Sequence, residues 1–268
     1  MPAAHLLAHA DRIRSGKPTF TGWVSTPSPT AADLLAREDF DSITIDMQHG
    51  LHTHQTVIDS IAYAALAGKP ALVRIQVDDF PFASRALDYG AMGVIAPMVN
   101  SVADAKKLVA YTKYPPLGER SWGPVRALPM TGLSAAEYLA QANSKTLAIA
   151  MIETQAALDA LDDILGIDGI DGVFVGPSDL SIALFKGAKV DQNAPEVDAA
   201  LKHIVARAKA HGKFATAFTM SGERAAAHAD MGFAMATLCN DIFLLQVGAR
   251  AELKAARGAL GQQGKSSY

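Results

Sequence analysis

Glu153 closes the apolar run Leu147–Ile152, and Asp179 stands just beyond the run Gly172–Val175, so a repeating strand–helix chain places their carboxylates on neighbouring strand ends. Two unshielded carboxylates aimed at one point repel each other, and a divalent cation relieves the repulsion. Magnesium or manganese accepts few protein carboxylates, keeps several waters and leaves room for a chelating substrate. The same residues also suit structural work, with Glu153 as N-cap of the next helix and Asp179 in the opening turn of another. Gly176-Pro177-Ser178-Asp179 runs from a strand into a helix start, where backbone N–H groups gather at an anion-sized spot. It reads equally as an ordinary turn capped by Ser178. Arg74 ends the run Ala71–Ile75, and an arginine there either pairs internally or faces a ligand. His49, three residues after Asp46, suggests a carboxylate-oriented imidazole that moves protons near neutral pH, although such pairs are also often structural. His52 and His54 follow away from any strand end and are set aside as metal ligands.

Positioning these residues takes a scaffold whose strand ends all point one way. The chain alternates short apolar runs with longer amphipathic, Ala-rich stretches, the pattern of parallel strands joined by crossover helices. The runs are Thr19–Val24, Ser42–Asp46, Ala71–Ile75, Val94–Pro97, Leu147–Ile152, Gly172–Val175, Phe214–Phe218 and Ala234–Leu238, eight in all. Helical periodicity covers Thr53–Leu66, Val102–Tyr111, Gln155–Leu165 and Glu196–His211. Gly68, Gly90 and Gly212 follow helical stretches, as left-handed C-caps do. Eight such units predict an α/β fold, a closed (β/α)₈ TIM barrel, over an open doubly wound sheet, which would more often carry a Gly-rich nucleotide turn after its first strand; Gly22-Trp23-Val24-Ser25 is not one. An extra helix is expected in residues 1–18, and a C-terminal helix over 240–260 with a polar tail. The Pro- and Gly-rich segment Tyr114–Asn143 reads as a long loop over the active face.

The chain has 268 residues, half of them hydrophobic, which suits one barrel domain over 1–268. A formal net charge of −3 offers no footprint for nucleic acid or an anionic membrane, and the longest apolar runs fall short of a bilayer span. The single cysteine and the lack of a signal-like N-terminus predict a cytoplasmic location.

Taken together the motifs resemble the class II, metal-dependent pyruvate aldolases, the family of 4-hydroxy-2-oxoheptanedioate aldolase in the phosphoenolpyruvate/pyruvate-binding barrel superfamily. The likeness covers almost the whole chain: Ile45-Asp46-Met47-Gln48-His49, Leu72-Val73-Arg74, Pro97-Met98-Val99, Tyr114–Arg120, Ile152-Glu153-Thr154, the highly specific Asp168–Ser181, and Pro195-Glu196-Val197. The resemblance implies an aldolase that cleaves or forms 4-hydroxy-2-oxo acids through a pyruvate enolate. Glu153 and Asp179 would hold a divalent ion, magnesium or manganese before cobalt. Arg74 would hydrogen-bond the keto oxygen, amides around Gly176, Pro177 and Ser178 would hold the carboxylate, and Trp23 and Arg120 would contact substrate. His49, oriented by Asp46, would be the acid/base. The resemblance also implies aromatic degradation as the setting and a homohexamer that exchanges its C-terminal helix, with a neighbour's Asp88 approaching the site. Gln48, Met151, Ile75 and the bulky Ser121–Arg126 loop depart from the family pattern and bear on the aldehyde partner. The rival readings are an acyl-CoA lyase of the malyl-CoA or citrate lyase β type, for which Lys113, Arg120 and Arg126 offer only a thin basic entrance, and a non-catalytic metabolite-binding barrel.

Overall fold

Alternation of side chains along each strand sorts this sequence into two apolar layers. On the second strand, Ile43 and Ile45 turn outward to the helices, while Ser42, Thr44 and Asp46 turn inward. The computed structural model describes residues 3–263, with side chains described for 5–258. Its first half runs α1 (Ala3–Arg14), β1 (Thr19–Val24), α2 (Pro29–Ala36), β2 (Ser42–Asp46), α3 (His54–Leu66), β3 (Ala71–Arg74), α4 (Phe80–Asp88), β4 (Gly93–Ala96) and α5 (Val102–Thr112). Then come α6 (Ala127–Thr131), α7 (Ala135–Lys145), β5 (Leu147–Ile152), α8 (Gln155–Asp159), α9 (Leu161–Leu165), β6 (Gly172–Val175) and α10 (Pro177–Leu184). The chain finishes with α11 (Pro195–Ala210), β7 (Phe214–Ala217), α12 (Gly222–Met231), β8 (Met235–Asn240) and α13 (Asp241–Gln263).

The eight strands are parallel and close in sequence order, with β8 returning to β1. Trp23, Leu72, Ile95, Ile149, Met151 and Phe174 fill the barrel, and Ala10 and Ile13 of α1 plug its lower mouth. Val73, Ala148, Ile152, Val173 and Val175 face the surrounding helices. Local signals set many of the boundaries. Ser28, Thr53, Asp79, Ser101, Ser134, Thr154 and Ser221 each accept a hydrogen bond from a backbone N–H of the helix they open. The expected helix Gln155–Leu165 is two short helices that meet at Ala160, and no residue there marks the break. The C-terminal helix continues to Gln263, and the last five residues of the expected polar tail lie outside the described residues.

The segment Tyr114–Asn143 is neither a loop nor above the active face. It follows α5, which has already carried the chain back to the N-terminal end of the barrel, and it contains α6 and most of α7. Lys145 pairs with Asp11 of α1 at 2.5 Å, and Arg14 donates to the Ser144 carbonyl at 2.6 Å, so the insertion is fastened to the lower plug. Its hub is Lys113, whose buried Nζ donates to the carbonyls of Asn143 (2.9 Å) and Thr146 (2.6 Å) and to Asp171 Oδ2 (2.6 Å). Asp171 also accepts from Arg14 at 2.6 Å and from the Ala148 amide at 2.7 Å. At the other end of the chain, α13 touches the barrel near β1 and β8 and leaves Leu245 and Leu253 exposed. Among the described residues no helix is long and apolar enough to cross a membrane.

Removing the carboxylate from this hub strands a buried ammonium. Asp171→Ala is expected to cost about 3–5 kcal/mol in urea unfolding. A loss below about 1 kcal/mol, the range of an exposed pair, would contradict the structural role given to Lys113.

Candidate active site

The same alternation turns Trp23, Asp46, Arg74, Glu153 and Gly176 inward at the C-terminal ends of five strands. Asp46 and Arg74 are direct partners in the β2–β3 register. Arg74 grips Asp46 with two hydrogen bonds, Nε to Oδ1 at 2.8 Å and Nη2 to Oδ2 at 2.7 Å. The Trp23 indole N–H donates to Oδ2 at 3.3 Å, and the amides of Gln48 and His49 donate to Oδ1 at 3.0 and 3.3 Å. Burial works to raise the Asp46 pKa, but the Arg74 hydrogen bonds and charge outweigh it and hold the carboxyl below the usual range. This corrects the role expected for Asp46. Its oxygens bind Arg74, Trp23 and two amides, and among the described contacts none reaches the His49 ring. The lateral strand neighbour, closer than a residue in the following turn, wins the carboxylate.

Glu153 has no such cation. Its Oε1 accepts the Met98 amide at 2.9 Å, while Oε2 is buried with no hydrogen-bond partner among the described residues. Burial raises its pKa and the Asp179 charge adds to the rise, against the opposing effects of the Met98 amide and Arg74. The capping alternatives do not describe the fold, whereas the opening-turn position expected for Asp179 does. Thr154, not Glu153, caps α8, and Gly176 opens α10 without a side-chain cap bond, so Ser178 is not its cap. Asp179 lies exposed in the first turn of α10. An unpartnered buried carboxylate oxygen near a second, exposed carboxylate fits a hard cation that retains part of its water shell. Among the described residues no group of three or more His, Cys, Asp or Glu is placed to hold an ion, so the donor set differs from that of a closed structural zinc site.

A cavity of about 290 Å³ opens over these groups, lined by Trp23, Asp46, His49, Arg74 and Gly176 to Asp179. Asn240, a polar residue at the end of β8 of the kind the strand-end rule selects, also lines it, as does Ser25, along with the apolar Phe218, Met220 and Ile242, which that rule does not select. Phe218 and Met220 lie just past β7, where the rule of polar strand ends gives no signal for apolar wall residues. Trp23 packs against Phe174 and Phe218, with ring centroids 5.5 and 5.3 Å away, and the Arg74 guanidinium carbon sits 4.8 Å from its ring centroid. Asp241 ties the root of α13 to the β1 loop through the amides of Ser25 (2.8 Å) and Thr26 (3.1 Å).

Arg120, expected at the substrate, is not in this cavity. It lies buried at the opposite end of the barrel, paired with Asp88 at 2.7 Å and 4.5 Å from the Tyr114 ring centroid, because the insertion that carries it follows α5. Asp88 is therefore also remote from its own chain's cavity. His52 contacts Thr56 and His54 stacks on Phe82, and neither lines the cavity. A larger cavity of about 430 Å³ beside α1 contains His9, Arg12 and Lys69, but Arg12 is already paired with Asp41 and Lys69 with the Phe40 carbonyl.

Residues 20–246 match the family described as HpcH/HpaI aldolase/citrate lyase. The chain is 40% identical over 242 residues to the hydroxypyruvate/pyruvate aldolase of Rhizorhabdus wittichii, covering 90% of this chain and 95% of that one. It is 34% identical over 245 residues to the 4-hydroxy-2-oxo-heptane-1,7-dioate aldolase of Salmonella dublin, with coverage of 91% and 92%. Among solved structures, an HpcH/HpaI aldolase/citrate lyase family protein from Burkholderia cenocepacia superposes with a TM-score of 0.84 at 29% identity, over 92% of this chain and 98% of that one.

The two buried carboxylates predict opposite responses to neutralisation. Asp46→Asn leaves Arg74 without its counter-charge and is expected to cost about 3 kcal/mol at neutral pH. Because the Asp46 pKa is depressed, that stabilisation is complete above the ordinary aspartate pKa and fades as pH falls through the lower folded value. Glu153→Gln is expected to stabilise the metal-free protein. The raised Glu153 pKa makes its ionisation cost stability as pH climbs from the ordinary glutamate value to the folded one, so the variant's advantage should grow across that window and then level off. Urea unfolding in chelator across acid to neutral pH measures both, and parallel pH profiles for the two variants would refute the assignment.

Proposed function

The chain belongs to the HpcH/HpaI aldolase/citrate lyase family, and we propose that Glu153 and Asp179 hold the divalent cation with which it cleaves and forms 4-hydroxy-2-oxo acids through a pyruvate enolate. It is a lyase of the aldolase class, in a family generally dependent on divalent metal. The observation that carries the residue assignment is the unpartnered Glu153 Oε2 beneath a cavity that Asp179, Arg74 and His49 all line.

When bound, a magnesium, manganese or cobalt ion supplies Lewis-acid polarisation of the 2-oxo group. The rest falls to the chain's own groups. Arg74 is locked through Nε and Nη2, which leaves Nη1 outside the ion pair to donate to the oxygen that becomes the enolate oxyanion. A donor already fixed by Asp46 needs no reorganisation as charge grows, so it favours the transition state over the ground state. The amides of Ser178 and Asp179 open α10 and receive the substrate carboxylate, while Pro177, which has no N–H, presets the turn. In cleavage, His49 takes the proton of the C4 hydroxyl as the C3–C4 bond breaks. The bond's electron pair passes into the enolate, the aldehyde departs, C3 takes a proton from water to become the methyl group of pyruvate, and His49 returns its proton to the hydroxide left behind. Synthesis runs the same steps backwards. Trp23 and Phe218 wall the cavity and limit water around the developing charge.

The reading extends to assembly and setting. The exposed apolar residues Leu245 and Leu253 of α13 support its docking on a neighbouring copy in a homohexamer. One buried free cysteine, Cys239, suits a reducing cytoplasm, and degradation of aromatic compounds is the proposed context.

Pyruvate release from 4-hydroxy-2-oxoheptanedioate tests this function. Exhaustive chelation is expected to reduce it by roughly 10³-fold or more, with recovery in added Mn²⁺ for the unsubstituted protein but not for the Glu153→Ala, Asp179→Ala double variant. His49→Ala should retain the ion and lose about 10²–10⁴-fold in turnover. Full activity after chelation, or cleavage of malyl-CoA in place of the hydroxy-oxo acid, would overturn the proposal.

A further inference from the structure

Glu153 can serve a cation only if one of its oxygens is kept in place and the other kept free. Two features of the surrounding backbone do this. The first is the turn after β4. Met98 has φ of 54°, a left-handed conformation that a residue with a side chain rarely adopts and that persists only where its surroundings over-determine it. Here they do so from both sides. Ala96 is held in the β4–β5 ladder opposite Ala150, and Val99 is fully buried in the outer core. Asn100 Oδ1 accepts the Thr154 hydroxyl at 2.5 Å, which ties the turn to the residue next to Glu153. The outcome of this conformation is the Met98 N–H aimed at Glu153 Oε1, 2.9 Å away. The methionine side chain is 38% exposed and does not line the catalytic cavity.

The second feature is the absence of a side chain at Gly176. A Cβ there would lie 2.7 Å from Glu153 Oε2, closer than real Cβ contacts allow. Gly176 has no positive φ, so the demand on this position is for space and not for backbone freedom.

We propose that Met98 is a positioning residue for the metal site: its left-handed backbone occupies Glu153 Oε1 with an N–H, so that Oε2 alone meets the cation in the space Gly176 leaves open. The inference rests on the metal assignment made above and adds to it which oxygen of Glu153 coordinates and what holds it. The backbone at 98 matters here, and the side chain does not. Glycine, which takes positive φ without cost, therefore preserves the device, whereas a β-branched residue is driven out of that region and withdraws the N–H.

Mn²⁺ binding, followed by the electron paramagnetic resonance of the free ion, reads this without turnover. Met98→Gly is expected to bind within about twofold of the unsubstituted protein and Met98→Val at least about tenfold more weakly, the range for losing a group that orients a metal ligand. Circular dichroism and thermal unfolding establish that each variant is folded. Asp179→Ala is the reference for the underlying assignment. If it binds Mn²⁺ undiminished, the metal reading itself fails. If Asp179→Ala loses the ion while Met98→Val keeps full affinity, the Met98 proposal fails alone. Equal weakening in Met98→Gly and Met98→Val would assign the effect to the side chain and also overturn it. Should Met98→Val not fold, Asn100→Ala loosens the same turn from outside. It is expected to weaken Mn²⁺ binding, and unchanged affinity in that variant refutes the proposal.

Discussion

Two buried carboxyl groups enter the mouth of this barrel, and only Asp46 has a protein cation of its own. Arg74 meets Asp46 through a two-point hydrogen bond set by strand register, with the Trp23 indole as a further donor. That pair consumes the nearest positive charge. Glu153 receives a single amide on one oxygen, and Asp179 adds a second negative charge to its surroundings. The site as built is therefore short of positive charge, and the deficit is local and specific in direction. A fixed guanidinium next to an uncompensated carboxylate suits chemistry in which negative charge grows on a substrate oxygen between them.

The opposite end of the barrel uses the same kinds of group to a different end. Buried Lys113 and exposed Arg14 share the carboxylate of Asp171, and carbonyls of Asn143 and Thr146 complete the lysine's shell. This cluster binds the insertion, the lower plug and the start of β6 into one body. Lys113, the buried ammonium at this end, has a carboxylate partner, whereas the buried Glu153 carboxylate at the other end has no protein cation, which separates holding the fold from serving the site.

Much of this was legible in the sequence because it is written at short range. The eight apolar runs correspond to the eight strands within a few residues, and period-two alternation from any of them identifies Asp46, Arg74 and Glu153 as inward. What escaped depends on relations that a linear reading does not contain. Asp46 looked like a partner for His49 because the two are close in sequence, yet β2–β3 register gives it Arg74. Tyr114–Asn143 resembles a loop over the site in its Pro and Gly content, but composition does not reveal which end of the barrel α5 reaches. Arg120 was misplaced for the same reason. The contribution of Met98 lies in a main-chain angle, and no residue type advertises it. Phe218 and Met220 escaped because apolar lining carries no chemical signature of its own.

The position of the insertion has a bearing on selectivity. With its bulk hung beneath the barrel, the catalytic mouth of a single chain is rimmed by short connections such as Gly176 between β6 and α10, and by α13, which begins directly where β8 ends. Among the described residues no inserted segment roofs this vestibule against the far end of a long aldehyde. Discrimination by length would then arise from how well a tail is gripped along the rim, with overlong acceptors admitted and merely held less tightly.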